Sequence, residues 1–270
     1  VFQYMLHASK FSWPKYESGE YGLGPQVNNP LLFAELTGDS RTINDYLTGS
    51  VKFDYEILPG LNFSTQYAIR NTHVQVKNFL NQYRNEAPLT GRVAQRAFNS
   101  LREYRSNTRE GTLNSLLTYT KAINKHKFTG LLGYSTIEHE TNYITGYRQE
   151  FYNNDVQSLS QGSNENRDAT GVDSEWGLRS YFSRLNYNFN DRYFIEVNGR
   201  YDGSSRFNQD NRYSFFPSFS AGWRLSEETF WTEWKDLINE FKLRGSYGGT
   251  GNQAVGLYSF YETLSAINYS

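Results

Sequence analysis

Between Arg192 and Leu225 apolar and polar residues alternate with a period of two, twice over. Tyr193, Ile195, Val197 and Tyr201 interleave with Arg192, Glu196, Asn198, Arg200 and Asp202. Phe215, Pro217, Phe219, Ala221, Trp223 and Leu225 then interleave with Ser214, Ser218, Ser220, Gly222 and Arg224. Successive side chains of a strand point to opposite faces, so each segment has one apolar face and one wet face. The wet face is strongly polar, and the other is rich in Phe, Tyr and Trp. A transmembrane β-barrel needs that division, with lipid outside and water or a plug inside.

The chain has 270 residues, of which 17% are aromatic, including 22 Tyr and 19 Phe. Barrels concentrate such residues in girdles at the two membrane interfaces. A mean hydropathy of -0.72 suits a barrel, whose lumen face and outer loops are polar. Lys plus Arg is 27 and Asp plus Glu is 28, a balance that gives no sign of a nucleic-acid partner. There is no Cys, which excludes a disulfide framework and a thiolate metal site. The longest apolar run, Leu31 to Ala34, is too short for a transmembrane helix or a signal-peptide core. A barrel protein begins with an export signal, so the sequence reads as a fragment of a longer protein.

Period-two reading yields about eight strands in up-and-down order. They lie near Thr42–Ile57, Leu61–Val76, Thr108–Ile123, His126–Thr145, Trp176–Phe189, Arg192–Arg206, Ser214–Ser226 and Phe241–Thr250. A short helix is expected over Glu228–Ile238. Tight turns at 58–60, 124–125 and 190–191 alternate with long polar links at 77–107 and 146–174. Outer-membrane barrels have short periplasmic turns and long extracellular loops, which orients the hairpins. Residues 1–41, rich in Tyr, Pro and Gly, read as an extracellular loop region, and residues 42–270 as the barrel segment.

Several blocks then carry a resemblance. They are Arg184-Leu185-Asn186-Tyr187-Asn188-Phe189, Asp191-Arg192-Tyr193, and Arg200-Tyr201-Asp202-Gly203-Ser204-Ser205-Arg206-Phe207. Phe216-Pro217-Ser218-Phe219-Ser220-Ala221-Gly222-Trp223-Arg224-Leu225-Ser226-Glu227-Glu228 follows, then Leu243-Arg244-Gly245-Ser246-Tyr247-Gly248 and Thr250-Gly251-Asn252-Gln253. In order and spacing they resemble the barrel signature of the SusC/RagA-type TonB-linked outer-membrane proteins, over roughly residues 180 to 255. Asn29-Pro30-Leu31 and Tyr55-Glu56-Ile57-Leu58-Pro59-Gly60-Leu61 resemble the family more loosely. The resemblance implies a 22-strand barrel with an N-terminal plug, in the outer membrane, importing glycans or peptides. It also implies two partners: TonB, engaged through the plug region, and a SusD-like surface lipoprotein. This sequence holds neither plug nor TonB-contacting segment nor enough strands to close such a barrel, so it reads as the middle of a transporter.

Candidate chemistry is sparse. Asp202-Gly203-Ser204-Ser205-Arg206 could form a ligand or cation site at the outer rim. The preferred reading is structural, with Gly203 shaping a strand end and Asp202 pairing with Arg206. Glu138-His139-Glu140 suggests a metal cluster, but on a strand the two carboxylates share a face and His139 points away. The six arginines between Arg84 and Arg109 could meet an anionic substrate or lipopolysaccharide phosphates, or simply face solvent. Trp231 and Trp234 read as interfacial anchors. Gly248-Gly249-Thr250-Gly251 lacks the Lys of a phosphate loop, and no nucleophile elbow or dinucleotide motif is present.

The fold class is therefore all-β: an antiparallel, up-and-down transmembrane barrel segment of about eight strands. The expected function is a part of a TonB-dependent importer, with no enzymatic activity, cofactor or metal, and with substrate-binding residues left open. The alternative is a complete eight-strand barrel acting as an adhesin or anchor. A soluble glycan-processing enzyme would need a carboxylate pair that the sequence does not show.

Overall fold

The computed structural model describes residues 14–24 and 29–259. Among the described residues one α-helix, α1 (Pro30–Leu36), precedes ten strands. These are β1 (Gly38–Leu58), β2 (Leu61–Leu80), β3 (Tyr83–Glu86), β4 (Val93–Arg96), β5 (Ser100–Ile123), β6 (His126–Gln149), β7 (Asp168–Phe189), β8 (Tyr193–Ser204), β9 (Tyr213–Arg224) and β10 (Lys242–Gly248). Eight of them form one sheet in the order β1-β2-β5-β6-β7-β8-β9-β10, and β3 pairs with β4 separately. Neighbours in the sheet are thus neighbours in the chain, apart from the β3–β4 hairpin. No described helix is long and apolar enough to cross a membrane.

The strands outrun their sequence signal at the ends away from the tight turns. β5 begins at Ser100 rather than Thr108, β7 at Asp168 rather than Trp176, and β2 continues to Leu80. The expected polar link 77–107 therefore holds strand on both sides of a hairpin. The expected helix at 228–238 is replaced by two stretches of 3-10 turn, Leu225–Glu227 and Thr229–Trp234. In the stretch read as loop, Asn29 caps α1 by accepting from Leu31 N and Leu32 N, with Pro30 in the first turn.

By its contacts the chain divides into two units. The first takes the chain through Tyr46 with Thr72–Thr108 and Thr141–Asp173; the second takes Leu47–Asn71, Arg109–Glu140 and the chain from Ser174.

In the second unit, register converts alternation into faces. Across β7, β8, β9 and β10, Leu185, Val197, Phe219 and Tyr247 stand in one row. One residue along, Asn186, Glu196, Ser220 and Ser246 form the row on the opposite face. The apolar side chains are not buried: Leu185 is 52% exposed, Val197 46% and Phe219 49%. Water would not tolerate a continuous apolar wall of this kind, whereas lipid requires one.

Aromatic rows bracket this wall. Near the tight turns, His126 lies 4.8 Å from Phe189, Phe189 6.3 Å from Tyr193, and Tyr193 6.3 Å from Trp223. At the far end Tyr134 meets Tyr181 at 5.3 Å and Tyr201 meets Tyr213 at 5.1 Å. The tight turns are laced sideways: Asn190 N donates to Lys125 O at 2.7 Å, and Thr120 N to Gly60 O at 2.8 Å. Asn190 and Asp191 both take left-handed φ, 54° and 52°, which Asn and Asp tolerate best after Gly.

The first unit has cores of its own. Tyr21, Leu23, Leu32, Ala87 and Ala94 make one, and Phe79, Leu101 and Phe151 the other. Each is fastened by a buried asparagine. Asn85 accepts from Tyr21 N at 2.7 Å and donates to Tyr21 O at 2.9 Å, as a neighbouring strand would. Asn99 accepts from Phe151 N at 2.7 Å and donates to Phe151 O and Asn153 O.

Candidate functional site

The polar face of β7 to β10 is the surface that chemistry can use. Arg184 Nε donates to Asn198 Oδ1 at 2.8 Å, and Asn198 Nδ2 donates to Glu196 at 2.8 Å and Ser218 Oγ at 3.2 Å. Arg200 Nε donates to both oxygens of Asp202 at 2.7 and 2.8 Å, and its terminal nitrogen to the buried Ser180 Oγ at 2.9 Å. A cavity of about 360 Å³ opens beside this pair, lined by Leu178, Arg200, Asp202, Ser204, Phe207 and Phe216 among others.

Three phenylalanines break the alternation by lying on the polar face, and two of them sit beneath cations. Arg200 lies 5.4 Å from the centre of the Phe182 ring. Phe194 carries Arg224 at 5.4 Å and Lys242 Nζ at 3.6 Å. A ring face attracts a cation, and it adds to the ion pairs that Arg200 makes with Asp202 and Arg224 with Glu240. Gly133 makes room for the arrangement, since a Cβ there would stand 2.2 Å from the Phe182 ring. The third phenylalanine, Phe216, packs close to Gly251.

The expected pairing of Asp202 with Arg206 does not form. Asp202 serves Arg200, while Arg206 lies 4.8 Å over the Trp176 ring and donates to Val255 O. His139 stacks on Trp176 at 5.1 Å, and its Nδ1 lies 3.3 Å from Glu110 Oε2. Among the described residues no group of three or more His, Cys, Asp and Glu could hold a metal ion.

Five of the six arginines have defined partners in the first unit, Arg105 pairing with Glu103 at 3.3 Å. Arg92 donates to Gly24 O at 2.6 Å, Arg96 to Thr37 O at 2.8 Å, and Arg102 lies over Tyr147. Arg84 pairs with Glu86 at 3.4 Å, at the surface. The guanidinium groups of Arg92 and Arg96 cap backbone carbonyls of the loop cores, a use that sequence spacing does not reveal.

Beside the tight turns, Glu228 gathers three donors. Tyr193 Oη donates at 2.6 Å, Trp223 Nε1 at 3.1 Å and Arg192 at 3.0 Å. Those bonds, that of Tyr193 first, hold its carboxyl below the ordinary carboxylate range. Asp191 is lowered likewise, by Asn188 and then Lys127. Trp231 stacks on Phe241 at 5.1 Å, and Phe230 meets Trp223 edge-on. The connection after β9 is thus a fastened collar of aromatics around one carboxylate.

The family described as TonB dependent receptor-like, beta-barrel matches residues 5–269. The chain is 30% identical over 252 residues to the TonB-dependent receptor P3 of Formosa agariphila, covering 91% of this chain and 24% of that one. It is 31% identical over 274 residues to the TonB-dependent receptor SusC of Bacteroides thetaiotaomicron, covering 96% of this chain and 24% of that one. Among solved structures it resembles the RagAB peptide importer in the open-open state, with a TM-score of 0.74 and 22% identity over 96% of this chain and 27% of that one. The chain spans about a quarter of the length of the curated relatives it matches.

Proposed function

The chain belongs to the TonB-dependent receptor-like β-barrel family, and on that premise we propose that it is a wall segment of an outer-membrane importer. TonB-dependent receptor barrels are outer-membrane proteins, and the apolar face of β7 to β10 is the lipid face in this reading. The polar face lines the lumen. The tight turns point to the periplasm, and the long connections 77–107 and 146–174 face outside.

The observation that carries the reading is the register of β7 to β10, which sorts apolar and polar residues into separate rows. The sheet order runs from β1 to β10 as an open series, which supports a portion of a larger barrel over a closed eight-strand adhesin. The cargo is an oligosaccharide or a peptide, the import is powered by TonB through a plug, and a SusD-like lipoprotein covers the outer face. The names of the relatives support these assignments, as SusC is a TonB-dependent receptor and RagAB a peptide importer. The wall itself performs no covalent chemistry. It binds and orients solutes through Arg184, Asn198, Arg200 and Asp202.

The test is made in the full-length receptor. Replacing Tyr83–Arg96 by a short Gly/Ser link is expected to leave the barrel assembled, with its folded band still heat-modifiable, while nutrient uptake or lipoprotein capture falls. Uptake and capture at the parental level would reject the assignment of this hairpin to the outer, substrate-facing side.

A further inference from the structure

On the lipid face the far aromatic row is followed by a row that carries a charge. Arg179 of β7 stands opposite Gly203 of β8, and Gly203 opposite Tyr213 of β9. The missing side chain at Gly203 is used: a Cβ there would lie 2.2 Å from Cε1 of Tyr213. The Tyr213 ring therefore lies across the glycine, toward Arg179, and stacks on Tyr201 at 5.1 Å. Tyr181, two residues further along β7, shares the face of Arg179 and meets Tyr134 at 5.3 Å. Tyr134, Tyr213 and Tyr181 lie around the Arg179 guanidinium. Arg179 is exposed, as are Tyr181 and Tyr213.

We propose that Arg179, framed by Tyr134, Tyr181 and Tyr213, is a docking site for the phosphate-bearing headgroup of an outer-leaflet lipid. The proposal rests on the outer-membrane reading given above. A guanidinium presents a planar fork that matches two phosphate oxygens. Phenol hydroxyls add donors at the headgroup level while their rings lie against acyl chains. The stem of Arg179 can run along the apolar face and keep its head at the interface.

The surroundings favour a lipid over a free anion. Glu175 lies on the same face of β7, farther from the tight turns, and Glu138 and Glu140 of β6 are exposed there too. A soluble phosphate approaching from water meets these carboxylates first. A headgroup arriving sideways, within the leaflet, meets Arg179 without passing them. The basic run from Arg84 to Arg109 is not the place for this contact, since Arg92 and Arg96 are spent on backbone carbonyls.

The test uses the full-length receptor in phosphatidylcholine nanodiscs doped with either lipid A or dephosphorylated lipid A. Retained lipid is counted by native mass spectrometry, with inorganic phosphate added in a separate arm. The parent is expected to retain lipid A and to release the dephosphorylated form. Loss of a charge-assisted contact predicts at least a roughly tenfold weaker retention in Arg179→Gln. Tyr213→Phe should give a smaller loss, and Arg179→Lys, which keeps the charge but not the fork, a loss between that of Arg179→Gln and the parent. Heat-modifiable migration checks that each variant is folded; should Arg179→Gln fail to fold, Tyr213→Phe against parent carries the comparison. Equal retention of both lipids, equal retention by parent and folded variants, or displacement by inorganic phosphate would each overturn the proposal. A receptor that does not enter the bilayer overturns the membrane reading and this site with it, whereas one that enters without preferring lipid A overturns the site alone.

Discussion

Placing an arginine at Phe219 tests the face assignment where it is most demanding. Phe219 lies four residues from Phe215 and four from Trp223 along β9, the positions that join the two aromatic rows. At about 3.4 Å per residue each interval is roughly 14 Å along the strand. With strands tilted by about 40°, that is roughly 10 Å of depth on either side, which sets Phe219 at the middle of the apolar band. An arginine there is expected to cost about 2–4 kcal/mol, against about 0–1 kcal/mol at an interfacial position. The cost corresponds to a fall of roughly 30- to 700-fold in the folded-to-unfolded ratio. Phe215→Arg should therefore cost much less than Phe219→Arg. Ser220→Arg, on the other face and directly opposite Glu196, should stay within about 0.5 kcal/mol of the parent. The assay is folding of the full-length receptor into lipid vesicles across a urea series, scored by the heat-modifiable band. Equal cost at Phe219 and Ser220 would refute the faces, and equal cost at Phe219 and Phe215 would refute the depth.

Two further outcomes follow from single side chains. Asn85→Leu strips the partners from Tyr21 N and Tyr21 O; unpaired buried groups cost about 1–3 kcal/mol each, so amide exchange at Tyr21 should accelerate while exchange in β8 and β9 stays unchanged. Glu228 has its carboxyl lowered by Tyr193, Trp223 and Arg192, so its contribution is complete above the ordinary carboxylate range and is lost as pH falls through the lowered value; proteolytic cleavage within 225–240 should rise on acidification in the parent, and Glu228→Gln should show the raised cleavage already at neutral pH.

The apolar face of β7 to β10 was legible, because a strand with one apolar face imposes a period of two. Val197, Phe219 and Trp223 have to face one way, and their neighbours Asn198, Ser220 and Arg224 the other. Beyond the apolar band that constraint lapses. Ser100–Asn107 at the start of β5 and Asp168–Ser174 at the start of β7 are strand, yet no apolar alternation marks them, since neither has one face that is consistently apolar. Short and long connections alternated visibly, but the hairpin of β3 and β4 was hidden in a stretch read as polar link. Its core consists of residues from three separate segments, Tyr21, Leu32 and Ala87 among them, and such pairings leave no local pattern. The helix α1 did leave one: Asn29-Pro30 is a cap followed by a first-turn proline. On the polar face, Arg200 with Asp202 replaced the expected partner Arg206 because side chains two apart on a strand share a face, while Arg206 lies past the end of β8. Phe182 and Phe194 were unreadable as cation seats, since their partners are supplied by other strands.

The asparagine clamps determine where the connecting segments of the first unit can be rewritten. Asn85 binds the backbone of Tyr21, and Asn99 the backbone of Phe151 and Asn153. A clamp that holds backbone is indifferent to the side chains displayed around it. Leu89 and Tyr152, 75% and 100% exposed, are therefore free to be exchanged through a lineage without loosening the frame beneath them. Descendants that kept both asparagines could present new exposed surfaces on an inherited scaffold, and diversify without relearning how to fold.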